Sequence, residues 1–356
     1  MFILMPLSVY SCIRYVDARQ LGVVNKVGET SDNFSRVDTR QYDNLPEKVK
    51  QYFDFSTGVA ITFRTNSNII CARWTTRKCD NGANTTRILR EGLDLYILKE
   101  GEWIFAGIGT PSKGRHHESV IVKEMVDTMK YCLLYLPVME IVDSLEIGIT
   151  DNALIEVSDK PLFNGCIGVI GSSITHGVAA SRPGMTFPAR IQRVLGMEVI
   201  NLGMAGLCRM EEFYNDVADD IMPDMFIIDP FSNPSAEEID DRLDRFVKRL
   251  RKSHPDVPLL FIQTLNRESC IFDTHRRRYE MQKQKAAEEG MQRIIADDEK
   301  IFFMNPGMWI GDDHEATVDG THPTDLGFTR ILERLVPEIT KILNPVENCL
   351  GKNLRW

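Results

Sequence analysis

Three side chains in two short segments have the types and spacing of an acyl-transfer centre. Gly171-Ser172-Ser173-Ile174-Thr175-His176-Gly177 follows a short apolar run and puts a serine where a strand turns into a glycine-bounded loop. About 145 residues further on, Asp319-Gly320-Thr321-His322-Pro323 carries a carboxylate and an imidazole three residues apart. A serine hydroxyl is a poor nucleophile at its own pKa. It needs an imidazole to take its proton and a third group to hold that imidazole in the right tautomer. Ser173 is therefore the candidate nucleophile, His322 the candidate base and Asp319 the orienting carboxylate. Their spacing lets the carboxylate reach Nδ1 while Nε2 points at Ser173. The developing oxyanion needs preorganised donors. Candidates are the backbone N–H of Ser173, the backbone N–H of Gly206 and the side-chain amide of Asn233. Gly206, having no Cβ, also lets the main chain come close to a substrate.

Such a site needs rigid elements to aim it, and the second half of the chain supplies them. Ile167–Ile170, Val199–Leu202, Met225–Ile228, Pro258–Ile262 and Ile301–Met304 are five short apolar runs. Helical patterns separate them at Phe187–Leu195, Met210–Ile221, Ala236–Ser253 and Tyr279–Ile295, and a further one follows at Asp325–Ile339. Ser235, with Glu238 three residues on, reads as the capping box of the third of these helices. Strands apolar on both faces and separated by helices predict a parallel sheet covered on both sides. Chemistry on such a sheet gathers at the C-terminal strand ends. Ser173, Gly203 to Gly206, Asn233, Asn266 and Asn305 to Trp309 each follow one strand, and Asp319 and His322 lie before the last helix.

The first half has a different texture. Val59–Arg64, Ile69–Trp74, Leu93–Leu98, Trp103–Ile108, Met129–Leu136 and Val142–Ile149 are strand-like runs punctuated by Gly, Asn and Pro. Five to eight such strands with little helical periodicity predict an antiparallel sandwich. Boundaries are expected at a leader-like segment 1–14, a β-sandwich 15–162, an α/β unit 163–345 and a tail 346–356. With 356 residues, two units are the expected division.

A formal charge of -9 and the lack of a basic tract argue against a nucleic-acid partner. Arg276, Arg277 and Arg278 read as a solvated helix start. Eight cysteines without a CxxC pair exclude thioredoxin-like and zinc-knuckle readings. Cys71 and Cys79 flank a turn-like stretch across which a disulfide is possible, while Cys166 opens an apolar strand as a buried free thiol. Met1 to Tyr10 is apolar but lacks the basic region and the longer run of a signal peptide. Val9-Tyr10-Ser11-Cys12 faintly resembles a lipoprotein cleavage site, so export to the periplasm or lipid anchoring is an expectation carried by few residues. No apolar run is long enough for a transmembrane span.

At these residues the chain resembles the SGNH, or GDSL-like, serine hydrolases. The family's first block, usually Gly-Asp-Ser, corresponds to Gly171-Ser172-Ser173 and its second-block glycine to Gly206. Its third-block asparagine falls on Asn233 in Phe231-Ser232-Asn233-Pro234, without the usual Gly-X-Asn-Asp, and its Asp-X-X-His is Asp319-Gly320-Thr321-His322. The resemblance covers roughly residues 165 to 342. It implies a three-layer, flavodoxin-like α/β domain with a five-stranded parallel sheet, and catalysis with no cofactor and no metal. Ser172 departs from the pattern, which alters loop support more than mechanism, because the missing aspartate is not the one that orients the imidazole. Gly92-Leu93-Asp94-Leu95-Tyr96 looks like the signature of a β-domain that precedes a subset of these hydrolases, many of them bacterial. A jelly-roll-like module before such a hydrolase also resembles carbohydrate esterases that remove acetyl groups from polysaccharides.

That architecture makes a glycan or small-molecule acetyl ester the leading substrate class. Two alternatives remain open: a lysophospholipase or thioesterase using the same site, and a non-catalytic glycan-binding protein whose β-domain carries the function. Around the site, Trp309, Thr175, Met204 and His176 are candidate substrate contacts, with Arg182 nearby. Core packing is the competing role for Trp309, and His176 is placed as a pocket or packing residue. His314 with Asp312 and Asp313 reads as a solvated acidic loop and not a metal site. His116-His117 reads as a surface loop, and Trp74 and Trp103 as core residues of the sandwich in preference to a sugar platform.

Overall fold

The computed structural model describes residues 13–28, 34–77, 82–305 and 307–344. The apolar leader-like stretch up to Cys12, Cys79 and the tail beyond 344 lie outside the described residues. Among the described residues, ten strands build the N-terminal half: β1 (Ile13–Asp17), β2 (Gly22–Val24), β3 (Ala60–Thr65), β4 (Ile70–Arg77), β5 (Leu93–Lys99), β6 (Glu102–Gly109), β7 (His116–Val122), β8 (Lys130–Tyr135), β9 (Ile141–Thr150) and β10 (Ile155–Glu156). Strand β1 takes in Ile13 and Arg14, the last two residues of the segment set apart as leader-like. They pair with Thr150 and Ile149.

One antiparallel sheet runs β1-β9-β4-β7 and the other β10-β3-β8-β5-β6, with β2 beside β3. Between them sits a core of Ile61, Phe63, Ile70, Ala72, Trp74, Leu93, Leu95, Leu134, Leu145 and Ile147. Each of the Ile, Leu and Phe side chains among them, fully removed from water, contributes about 1.5–3 kcal/mol. Trp74 belongs to this core and donates its Nε1–H to the Glu91 carbonyl. Trp103 stacks on Phe163. His116 and His117 correct the sequence reading: they begin β7, and His117 is buried against the Trp74 ring.

Two helices, α1 (Glu47–Asp54) and α2 (Arg87–Glu91), interrupt the sandwich. Val49 and Phe53 of α1 join the core of the C-terminal half, so the two halves share packing. That half alternates β11 (Cys166–Gly171), α3 (Ser173–His176), α4 (Phe187–Leu195), β12 (Glu198–Asn201), α5 (Glu212–Ala218), β13 (Met225–Asp229), α6 (Ala236–Ser253), β14 (Leu259–Ile262), α7 (Thr274–Asp297), β15 (Ile301–Met304) and α8 (Asp325–Leu343). All five strands are parallel, in the order β12-β11-β13-β14-β15.

Side chains alternate between faces as a pleated strand requires. Ile167, Val169, Ile227 and Leu260 pack with Phe187 and Ile191 of α4 and Phe328, Ile331 and Leu335 of α8. Ile170, Phe226, Ile228 and Phe261 face Tyr214 of α5, Phe246 and Leu250 of α6 and Met291 of α7. Helix α6 begins with the capping box expected at Ser235 and Glu238. Helix α7 starts five residues before the expected Tyr279, because the Asp273 carboxylate caps it by accepting from the Arg276 N–H at 2.8 Å. That earlier start carries Arg276 to the rim of the sheet.

Candidate active site

Ser173 is the first residue of α3, directly past the C-terminal end of β11. As a helix-opening residue its N–H has no intrahelical acceptor and stays available to an oxyanion. Its Oγ lies 2.9 Å from His322 Nε2. On the other side of the ring, Nδ1 is 2.7 Å from Asp319 Oδ2. Asp319 Oδ1 accepts from the backbone N–H groups of Thr321 at 3.0 Å and His322 at 2.9 Å, which fixes the carboxylate within its own turn. Asn84, in the loop before α2 of the sandwich, donates Nδ2–H to Asp319 Oδ2 at 2.8 Å. Burial alone would raise the Asp319 pKa. The hydrogen bonds from Asn84, the His322 backbone and the His322 ring overcome this and hold it at about 2.

The loop after β12 is fixed from several sides. Gly206 has φ +73°, and a Cβ there would meet nothing within 4 Å. The glycine thus serves the left-handed turn, and no protein atom crowds the position where it lines the cavity described below. Close approach within the protein governs Gly203, where a Cβ would lie 2.3 Å from the His176 nitrogen. Ala205, between them, donates its N–H to His176 Nδ1 at 3.3 Å, and its carbonyl accepts from Tyr52 Oη at 2.8 Å. Asn233 follows β13, and its Nδ2–H donates to the Leu207 carbonyl, tying the two loops together. One N–H of that amide remains for a substrate.

Ser173, His322, Gly206 and Asn233 line one cavity of about 490 Å³ with Tyr52, Asn84 and Met139 from the N-terminal half. The sequence-based substrate contacts fall elsewhere. Thr175 and His176 are fully buried beneath the nucleophile turn, Met204 is core, and Trp309 packs against the α4–α8 side of the sheet. None of the four lines this cavity. His176 holds the loop in place: Nδ1 accepts from Ala205, so Nε2 carries the proton and faces the Val138 carbonyl at 3.1 Å and Thr57 Oγ1 at 3.0 Å. Burial, with Arg36 nearby, lowers its pKa to about 3 and keeps it neutral.

Similarity to known proteins agrees with this geometry. A profile of the GDSL-like lipase/acylhydrolase family matches residues 165–340, and one for the N-terminus of SGNH-hydrolase-type esterases matches residues 13–155. A GDSL-like lipase-family protein of Bacteroides ovatus is 44% identical over 93% of this chain and 98% of its own, with a TM-score of 0.89. The chain belongs to the GDSL-like lipase/acylhydrolase family. A salicylyl-acyltransferase from a tetracycline biosynthetic pathway shares the fold at 18% identity, covering 93% of this chain and 97% of its own, with a TM-score of 0.72. An acetyl xylan esterase from the rumen bacterium Butyrivibrio proteoclasticus does so at 12% identity, covering 95% and 100%, with a TM-score of 0.59. No curated protein matches the chain significantly.

Within this GDSL-like hydrolase, the serine at 172 leaves a structural trace. Ser172 Oγ and Thr175 Oγ1 each donate to Asp229 Oδ2 at 3.1 Å. The carboxylate that braces the nucleophile turn therefore comes from the end of β13 and not from the turn itself. Burial raises Asp229 to about 6, against the hydrogen bonds from the two hydroxyls. The Gly-X-Asp-Leu-Tyr segment also has a physical role. A Cβ on Gly92 would lie 2.6 Å from the Ile88 carbonyl oxygen. Buried Asp94 receives Arg182 Nη1 at 2.7 Å and the Gly184 N–H at 2.8 Å. Tyr96 Oη accepts from the same Arg182 nitrogen at 2.5 Å. The segment docks the sandwich onto the loop that follows the nucleophile helix. Among the described residues no cluster of three metal-ligating side chains occurs, and Asp313 is paired with Arg330 at 2.6 Å. No helix among them is long and apolar enough to cross a membrane.

Proposed function

We propose that this GDSL-like hydrolase is a serine esterase that removes small acyl groups, acetyl foremost, from carbohydrate hydroxyls through a covalent acyl-enzyme. The observation that carries the reading is the continuous Asp319–His322–Ser173 chain, with contacts of 2.7 and 2.9 Å, opening into a cavity shared with Gly206 and Asn233. Ser173 Oγ attacks the ester carbonyl while His322 Nε2 takes its proton. The oxyanion rests on the N–H groups of Ser173 and Gly206 and on the Asn233 amide. As the tetrahedral intermediate collapses, His322 gives its proton to the alcohol oxygen. A water molecule, deprotonated by His322, then attacks the acyl-serine, releasing the carboxylic acid and restoring Ser173. Asp319 orients the ring and stabilises the imidazolium, and Asn84 positions Asp319.

A small acyl group is favoured because the cavity is mainly polar. Met139, Val178 and Ala205 are its aliphatic contacts, too few for a long acyl chain. A long-chain lipid or thioester substrate has less support on that ground. The two-part architecture shared with an acetyl xylan esterase is compatible with this reading, by fold alone. Labelling with a serine-reactive fluorophosphonate, located by peptide mass spectrometry, should modify Ser173 and be abolished in Ser173→Ala. Acetate release from acetylated oligosaccharides should exceed hydrolysis of long-chain esters in kcat/KM. An unlabelled Ser173 in folded protein overturns the catalytic assignment, and a long-chain preference of orders of magnitude overturns the substrate.

A further inference from the structure

We infer that the cavity beside Ser173 binds a carboxylate carried by the alcohol part of the ester, as in an O-acetylated acidic sugar. This deepens the esterase reading and rests on it. The chain has a net charge of -9, yet Arg267, Arg276 and Lys283 line the cavity against a single carboxylate, Glu280. That carboxylate is shared: Oε1 is 2.9 Å from Arg267 Nε and Oε2 is 2.8 Å from Lys283 Nζ. The side chains of Arg267, Glu280 and Lys283 are 9%, 10% and 2% exposed, so the trio keeps a net positive charge largely out of water. Arg267 Nε is buried and, despite its closeness to Glu280, is not aligned for a hydrogen bond.

A structural role accounts for part of this cluster. Arg267 Nη2 and Lys283 Nζ both donate to the Ser232 carbonyl, at 2.8 and 2.9 Å, and so brace the residue before Asn233. Arg276 is not explained that way. Among the described residues it has no carboxylate partner, and its guanidinium reaches only Thr321 Oγ1, at a long 3.4 Å. Among the described residues most of its five donors therefore have no acceptor and can meet an incoming group. A planar guanidinium fork matches a carboxylate in two parallel hydrogen bonds. Its position selects the side of the substrate. Thr321 adjoins His322, which hands its proton to the leaving alcohol, so an anion at Arg276 belongs to the alcohol half of the ester and not to the acyl group.

The test compares a mono-O-acetylated methyl glucuronoside with the same acetate of methyl glucuronamide, which replaces the carboxylate by a neutral amide of similar shape. The wild-type protein should prefer the acid by roughly tenfold to a hundredfold in kcat/KM, the worth of one hydrogen bond between charged groups. The preference should shrink with added salt. Arg276→Gln should bring the ratio of acid to amide toward one, and Arg276→Lys should keep part of it. Equal rates for the two esters, or a ratio unchanged in Arg276→Gln, overturn the inference. Calorimetric binding of both compounds to Ser173→Ala gives an answer independent of turnover. Selective binding of the acid without acetate release from either ester by the wild type sustains the anion site and refutes the esterase reading. Absence of selectivity there refutes the anion site itself.

Discussion

Asn84 offers the sharpest test of how the site is held. Oδ2 of Asp319 is shared by His322 Nδ1 at 2.7 Å and Asn84 Nδ2 at 2.8 Å, while Oδ1 is occupied by two backbone N–H groups. Replacing Asn84 by alanine removes the side chain other than His322 that anchors the reacting edge of the carboxylate. A hydrogen bond to a charged group contributes about 1.5–3 kcal/mol when shielded. The Asp319 side chain is 34% exposed, so water partly replaces the lost donor and the lower figure applies. About 1.5 kcal/mol corresponds to roughly a tenfold fall in kcat/KM. The loss should appear mainly in kcat, because Asp319 acts most strongly on the charge His322 gains in the transition state. Acetate release measured for the wild type, Asn84→Ala, Asp319→Ala and the double variant forms a cycle. If Asn84 works through Asp319, its removal costs almost nothing once Asp319 is gone. Full additivity, or an unchanged kcat in Asn84→Ala, refutes the reasoning and leaves Asn84 as a cavity wall alone.

Other groups make separate predictions. Asp229, raised by burial to about 6 from an unfolded 3.8, binds more protons folded than unfolded between those values, so it lowers stability as pH rises through them. Asp229→Asn should lack this term: relative to the wild type, urea unfolding should show it gaining up to about 3 kcal/mol between pH 4 and pH 7, and an equal slope for both proteins refutes the assignment. His176→Leu leaves the Ala205 N–H without its acceptor and should lower kcat about tenfold, with far-UV circular dichroism unchanged. Arg182→Ala leaves Asp94 buried and unpaired, and should cost about 3–5 kcal/mol in unfolding free energy, whereas a loss below 1 kcal/mol shows the pair to be solvated.

What could be read from the sequence was local. The parallel strands announced themselves because both faces are covered, and the nucleophile and its base stand at strand and helix ends with distinctive neighbours. Gly206 and Asn233 followed from the same rim. Asn84 was invisible because its contact with Asp319 spans 235 residues and joins two loops, neither of which has a periodicity. Strand β7 was missed because His116, His117 and Glu118 open it, and this polar start masks an alternation that buries His117 and Ile121. Arg276 looked like a solvated helix start. Only the Asp273 cap, ahead of the expected helix start at Tyr279, reveals which way the first turn faces. Asp229 ended an apolar run and gave no sign that it replaces the carboxylate missing at Ser172.

These contacts make the sandwich part of the catalytic apparatus by a physical route. The parallel sheet sets the rim on which Ser173, Gly206 and Asn233 stand, since each lies in the turn or loop after one of its strands. It cannot by itself hold the loops that bear them. Ala205, beside Gly206, is gripped by Tyr52 Oη and by His176, whose own ring is set by Thr57 and the Val138 carbonyl. Asp319 is gripped by Asn84. Both supports of the transition state, the oxyanion loop and the carboxylate behind the imidazole, are thus fastened to the N-terminal half. The Asp94–Arg182 clamp is a third attachment, joining β5 of the sandwich to the loop that follows the nucleophile helix. A shift of the sandwich by a fraction of a hydrogen-bond length would loosen both supports at once. Substitutions at the clamp should therefore reduce kcat, even though Asp94 and Arg182 line no part of the cavity.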